Sequence, residues 1–431
     1  MEKIRLERRL GLLSAVCLTA GPVIGSGVFL VAADIARAVP SPKAGLSVWL
    51  VAGVLSLLGG LTFAELGAMF PGAGGQYVYL REAFGPLPAF LYGWTLFCVI
   101  QAGSIAAVAV AFAQYLSAFL PLGPTGVKLA ASAVIALLTL LNMLGVEKGA
   151  AVLDAVTGAK ALALAAIAAL GLFVAPRASL QGAWSFSAPA YGVALIAAFW
   201  AYDGWNNVTF VAGEIREPQR NVPLALSLGL ALVTLLYLGA NLAYARMLPA
   251  NVMAASRFVA ADAARVMGGD GAARLMSAVV LVSAFGCLNG MILAGPRVTY
   301  AMADDGRLPA WLAFVHPRWR VPTNALAAQM AWSILLAWSG RYDQLFTYVV
   351  CAAFIFYGLA AAGVLVLRRS QPERERPYRV PLYPALPALY VAFCAAFVAN
   401  SFHEKPIESI AGLALVLLGL PVYRLHNRRG S

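Results

Sequence analysis

The sequence predicts an all-α, polytopic membrane protein with twelve transmembrane helices, on three observations. Of its 431 residues, 61% are hydrophobic and only 12% are charged, far from the composition of water-soluble domains. A bilayer core of roughly 30 Å takes about 20 apolar residues of helix, and such stretches recur along almost the whole chain, leaving no separate soluble domain. Ala, Leu, Val and Gly fill these stretches without the two-residue alternation of a membrane barrel. Hydrocarbon tolerates only backbone that satisfies its own hydrogen bonds, so helices are selected.

The first span is expected near 11–37. The basic start MEKIRLERR could open a signal peptide, but the apolar stretch behind it is too long and leads straight into more spans, so it is retained as a helix. Spans follow near 44–70, 86–120 and 125–145. Glu65, near the inner end of the second, is read as the partner of a cytoplasmic arginine or as a cap. The fifth span, 149–175, opens on Asp154, where an acid complements the helix dipole. It carries Lys160 too far inside for the stem to snorkel to an interface. The sixth, seventh and eighth lie near 190–213, 222–246 and 273–302. The stretch 247–272, with ANVMAASRFVAADAARVMGG, is amphipathic and is read as short helices over an outer vestibule. Spans near 323–339, 342–368, 380–402 and 406–424 complete the set. Between the tenth and eleventh, RRSQPERERPYRVPLYP is charged and rich in proline, a loop restrained by Pro377, Pro381 and Pro384.

Charge sets the expected orientation. With both termini and the even-numbered connections inside, 20 basic residues fall on the cytoplasmic side, ten fall outside and Lys160 lies within a span, which accounts for all 31. The net charge of +12 thus reports topology. Nucleic-acid binding is not expected, because the charges are scattered through short loops such as REAFG and IREPQR and not gathered on one soluble face. Cys17, Cys98, Cys287, Cys351 and Cys394 fall in apolar spans without metal-ligand spacing and are read as small hydrophobes. His316, His403 and His426 are read as loop or interface residues. No nucleophile with its base stands at membrane depth, so no catalytic residue, metal or cofactor is expected.

Two spans are interrupted. In the first, TAGPVIGSGVF sets Gly21-Pro22 and Gly25-Ser26-Gly27 at mid-depth; in the sixth, FWAYDGWNN sets Asp203, Gly204, Asn206 and Asn207 in an apolar segment. Gly204 follows Ser26 by 178 residues (204 minus 26). That offset suits an inverted repeat of five plus five helices, each half led by a broken one, with the last two spans appended. Half-helix ends leave unpaired N–H and C=O groups, amides for an anion and carbonyls for a cation. A zwitterionic amino acid carries both charges on one carbon. Gly25 and Gly27 let a carboxylate approach the backbone and Ser26 adds a hydroxyl. The alternative is a helix-packing motif.

IGSGVF, PGAGGQYVYL, VTGAKALAL and AYDGWNNVTFVAGEIREPQRNVP together resemble the APC superfamily, specifically its L-type amino acid transporters. The resemblance spans nearly the whole chain. It implies one transporter domain over 1–431 with the LeuT-type fold: a first repeat at 11–175, a second at 190–368 and appended helices at 380–424. It also implies alternating access around a central site. The substrate carboxylate would meet amides of Gly25, Ser26 and Gly27, and the amine would meet carbonyls of Val23, Trp200 and Asp203. Trp200 resembles the family's aromatic gate. Ala201, Asn206 and Tyr237 fall at pocket or pocket-neighbouring positions, and Lys160 resembles a fixed substitute for sodium. Asp203 stays open between capping the second half-helix and pairing with a cationic substrate. Trp205, Trp184, Trp311 and Trp319 are read as break packing or interfacial anchors.

Animal relatives often join a glycoprotein by a disulfide from the loop between spans three and four. FLPLGPTGVK at 119–128 contains no Cys, so no heavy chain is expected. The resemblance implies a sodium-independent exchanger or facilitator for neutral L-amino acids, and the departure at this loop points to a bacterial plasma membrane. A carrier of cationic amino acids or polyamines, a proton symporter and a non-transporting sensor remain as alternatives.

Overall fold

The computed structural model describes residues 5–25, 27–173, 187–339, 342–404 and 406–429. Among them every regular element is helical, apart from one isolated bridge between Leu10 and Ile215. The chain begins with α1 (Leu12–Val23) and α2 (Gly27–Ala38), two halves of one interrupted span, followed by α3 (Pro42–Met69). A short α4 (Gln76–Phe84) leads into α5 (Pro86–Thr95), a π turn at Leu96–Ile100 and α6 (Gln101–Leu116). Next come α7 (Pro124–Met143) and α8 (Val146–Phe173). The second interrupted span is α9 (Ala188–Tyr202) with α10 (Asn207–Phe210). After it run α11 (Pro218–Met247), α12 (Ala250–Ala255), α13 (Val259–Ala294) and α14 (Pro296–Asp304). The chain closes with α15 (Thr323–Trp338), α16 (Tyr342–Ser370), α17 (Ala385–Glu404), α18 (Pro406–Leu417) and α19 (Gly419–Arg429).

Proline opens many of these helices, at positions 42, 86, 124, 218 and 296, where a missing N–H costs nothing because the first turn has no partner for it. Eight helical stretches among the described residues are long and apolar enough to cross a bilayer, whereas Leu12–Val23 and Ala188–Tyr202 are apolar but shorter. The two short ones are the halves of interrupted spans, so their length reflects the breaks.

The centre of the bundle is α11, packed on α1, α3 and α8, with α13 against α6 and α8. Two ion pairs lie within it. Arg297 and Glu214 are both fully buried and meet at 2.7 and 3.1 Å, tying α14 to the turn after α10. Glu65 takes two bonds from Arg368 (2.9 and 2.7 Å) and one from the Val380 amide (2.7 Å), the pairing expected for it. Removing either partner of such a pair leaves a buried charge uncompensated, which costs far more than the pair contributes.

Several expectations are corrected. Gly21 and Pro22 are still helical; the chain leaves the helix only after Val23, because Pro22 removes a donor but its fixed φ is compatible with a last turn. The short helices expected over 247–272 are present: α12, which packs on α2 and is held by Arg37 donating to the Ala254 carbonyl (2.7 Å), and the first part of α13, which non-helical Gly268 and Gly269, the latter at φ +67°, separate from the rest. Asp154 does not open its helix. The acid in the first turn of α8 is Glu147, and Asp154, two turns in, accepts from Ser14 (2.6 Å), joining α8 to α1. Trp184 lies outside the described residues, as do the side chain of His426 and all of Ser26.

Candidate substrate site

The α1 half-helix ends in a run of carbonyls that no longer have partners within it, the negative pole of a helix buried in the bundle. Side chains from three other helices meet them. Lys160 of α8, 1% exposed, donates to the carbonyls of Gly21 (2.5 Å) and Ile24 (2.7 Å). Cys287 of α13 donates to Pro22 (2.9 Å), and Ser283, one turn earlier, to Ile24 (3.0 Å) and Gly25 (3.2 Å). The Tyr237 hydroxyl of α11 donates to Val23 (2.7 Å) and also lies 3.0 Å from the Ala201 carbonyl. A buried ammonium is tolerable when carbonyls replace its hydration, and here those carbonyls are ones that the break has freed.

The second break starts where Asp203 turns extended (φ −71°, ψ 155°) and Gly204 takes φ +98°, a conformation that L side chains rarely adopt. The Asp203 carboxylate accepts the Tyr357 hydroxyl (2.6 Å) and a bond from the Gly204 amide. Asn206 donates to Gln76 (3.3 Å). Trp205 packs edge-on against Phe63 at 4.9 Å between centroids, the break packing expected of it.

The two breaks touch. A Cβ on Gly204 would stand 3.0 Å from Pro22, and one on Gly27 would stand 2.9 Å from the Ala201 Cα. A Cβ on Gly25 would meet the Cys287 sulfur at 2.8 Å. Close packing alone therefore requires these glycines, whatever else they do. Between the breaks lies a cavity of about 330 Å³ of unfilled space, lined by Val23, Gly25, Gly27, Trp200, Ala201 and Asp203, with Ser104, Cys287 and Met291 opposite. A second cavity of about 340 Å³ shares Ser104, Asp203 and Met291 with it and adds Gln101, Asn206 and Tyr357. Part of the Asp203 surface is left uncovered because it faces these spaces.

Six of the candidate residues thus line one cavity and Asn206 lines its neighbour. Lys160 and Tyr237 stand behind the breaks and position them, outside both linings. In this conformation the Gly25 amide is engaged with the Val23 carbonyl (2.7 Å), and the Trp200 carbonyl accepts the Asp203 amide (3.2 Å). The Val23 carbonyl also accepts the Tyr237 hydroxyl, so both of its lone pairs are engaged here and an amine would have to displace one of these donors. The sequence reading missed Ser104, Cys287, Met291 and Tyr357. A signal existed for two of them: Ser283, Cys287 and Met291 recur every fourth residue, one face of a helix, and Cys287 is a hydrogen-bond donor there and not only a small hydrophobe.

Comparison with known proteins agrees with this architecture. The family described as amino acid permease matches residues 10–416. The chain is 32% identical to the serine/threonine exchanger SteT of Bacillus subtilis (strain 168), over 97% of this chain and 96% of that one. It is 32% identical to the cystine/glutamate transporter of Homo sapiens (98% and 86% covered) and 33% identical to the b(0,+)-type amino acid transporter 1 of Mus musculus (97% and 88%). Likeness of that extent, on a helical bundle whose two interrupted spans meet in its interior, means that the chain belongs to the amino acid permease family and is a multi-pass membrane transporter of amino acids, not an enzyme.

Proposed function

We propose that the chain exchanges small neutral L-amino acids across a bacterial plasma membrane by alternating access, without sodium. The observation that carries this reading is the cavity between the two breaks. It is small, it is bordered by main-chain poles of both signs, and Asp203 is its one ionisable carboxylate among the lining residues. A zwitterion presents its carboxylate to amides at 25–27 and its amine to carbonyls at Val23, Trp200 and Asp203. Lys160, resting on the Gly21 and Ile24 carbonyls, supplies the positive charge that a sodium ion would otherwise bring. Ser104 and Cys287 in the lining suit a short or hydroxylated side chain better than a bulky one, in keeping with the serine/threonine exchange named for the Bacillus subtilis relative.

The proposal extends to topology: twelve spans, repeats at 11–175 and 190–368, two appended helices at 380–424, both termini cytoplasmic, and operation without a disulfide-linked heavy chain. Counterflow in proteoliposomes, with unlabelled amino acids competing and with sodium and a pH gradient each present or absent, tests substrate and coupling together. Absence of counterflow for every amino acid would leave a sensor and end the transport reading.

A second reading, a carrier of cationic amino acids, is favoured by one observation: the Asp203 carboxylate faces both cavities. If it holds, Asp203→Asn abolishes uptake of lysine and arginine and spares that of serine and alanine. Unchanged selectivity in the variant removes it.

A further inference from the structure

A third cavity lies at the end of the bundle away from the Leu10–Ile215 bridge, where α11 has run from Pro218 to Met247 and the chain returns through α12 into α13. On the proposed topology that end faces outside. The cavity is a cleft of about 290 Å³ open to water, between the end of α6 and the two parts of α13 that flank the Gly268–Gly269 kink. Four charged side chains line it, two of each sign. Arg265, before the kink, donates to Asp262 (2.6 Å) and, across the kink, to Asp270 (2.9 Å). The second oxygen of Asp262 accepts from Ser256 (2.5 Å), whereas that of Asp270 stays open. One turn beyond Asp270 stands Arg274, exposed and bordering the cleft. Residues four apart on a helix are neighbours, so Asp270 would ordinarily pair with it. Arg265 has drawn that carboxylate over the kink instead, and Arg274 has no side-chain partner among the described residues.

We propose that this cleft is a second amino acid site, which holds the cargo on its way to the cavity between the breaks. The Arg274 guanidinium takes the carboxylate and the open Asp270 oxygen takes the ammonium. Tyr115 and Phe258, whose rings meet edge-on at 5.0 Å, offer apolar surface to the side chain. A lone anion would face the two aspartates and a lone cation the two arginines, whereas a zwitterion answers both signs at once. The walls lead inward. On α6, Tyr115 borders this cleft and Val108 the substrate cavity, seven residues apart (115 minus 108), which is about 10 Å along one helix face. On α13, Ala273 borders the cleft and Cys287 the substrate cavity, fourteen residues apart (287 minus 273), again on one face. The same two helices therefore form a wall of both sites. The inference rests on amino acids being the cargo, and not on the neutral, sodium-free reading.

The test is equilibrium dialysis of the purified full chain against an equimolar mixture of radiolabelled L-amino acids, so that no side chain is presumed. The parent is expected to saturate with one amino acid more per chain than Arg274→Gln, which removes the partner of the carboxylate, or Ser277→Trp, which fills the cleft. Arg274 is exposed, so its replacement leaves the fold in place, and gel filtration checks both variants. The difference between parent and variant belongs to the cleft, and what the variant still binds belongs to the central cavity. A failure of the central site therefore removes the second quantity and leaves the first. In proteoliposomes, Arg274→Gln should need a severalfold higher external concentration of the same mixture for half-maximal exchange. Equal saturation of the parent and Arg274→Gln overturns the proposal, and so does an unchanged half-maximal concentration.

Discussion

Replacing Lys160 with Met tests the most consequential contact in the molecule. The change keeps an unbranched chain of similar length but removes the ammonium that caps the α1 pole. Of its two carbonyl partners, Ile24 retains the Ser283 hydroxyl at 3.0 Å, whereas Gly21 loses the side-chain donor at 2.5 Å and is left buried. One orphaned buried carbonyl costs about 1–3 kcal/mol, which corresponds to roughly a 5- to 150-fold fall in occupancy of the binding-competent break. Lys160→Arg is not expected to rescue, since the Nζ already lies 3.3 Å from where a Cβ on Gly286 would be and a guanidinium needs more room. The assay is counterflow in proteoliposomes at matched reconstitution, with sodium titrated in parallel. Exchange in Lys160→Met should fall within that range, and sodium should restore part of it if a cation can reach the vacated carbonyls. An unchanged rate, with no response to sodium, would refute the reasoning that the ammonium holds the break.

Tyr237→Phe removes the hydroxyl shared by the Val23 and Ala201 carbonyls; exchange should drop about tenfold for a bond worth roughly 1–1.5 kcal/mol, while thermal unfolding in detergent shifts by only a few degrees. Gly204→Ala forces an L side chain to φ +98° and brings its Cβ to 3.0 Å from Pro22. The expected loss is about 1–3 kcal/mol of stability, read as a lower unfolding temperature together with weaker substrate competition. Arg297→Met strands Glu214 in a fully buried position and should cost about 3–5 kcal/mol; adding Glu214→Gln should recover part of it, which expression level and unfolding temperature of the single and double variants would check.

How much was legible in the sequence differs from residue to residue. The two interruptions were readable because Gly, Pro and Asp within an apolar run violate the local pattern wherever the segment sits. Their exact edges were not, since Pro22 fits the last turn of a helix as well as the first residue beyond one. Lys160 was singled out on cost alone, as a charge too deep to reach water, and its carbonyl partners came with the resemblance only as a tie between the fifth span and the first. Asp154 misled because the helix start was placed late, at 149 and not at Val146. Cys287 and Tyr357 escaped notice because a thiol or a phenol on an apolar helix has the same signature whether it packs or donates.

Composition and the spacing of apolar runs determined that this chain is a helical membrane protein, and glycine, proline and acid within two of those runs determined where its helices fail. These are local properties, set by what each segment can do with its own backbone in lipid. Only the tertiary structure decided which donors reach the carbonyls so freed, since Lys160, Tyr237 and Cys287 come from α8, α11 and α13 and are brought to α1 by helix packing. A hydrogen bond between helices depends on rotation and depth of both, and no single stretch of sequence contains that geometry.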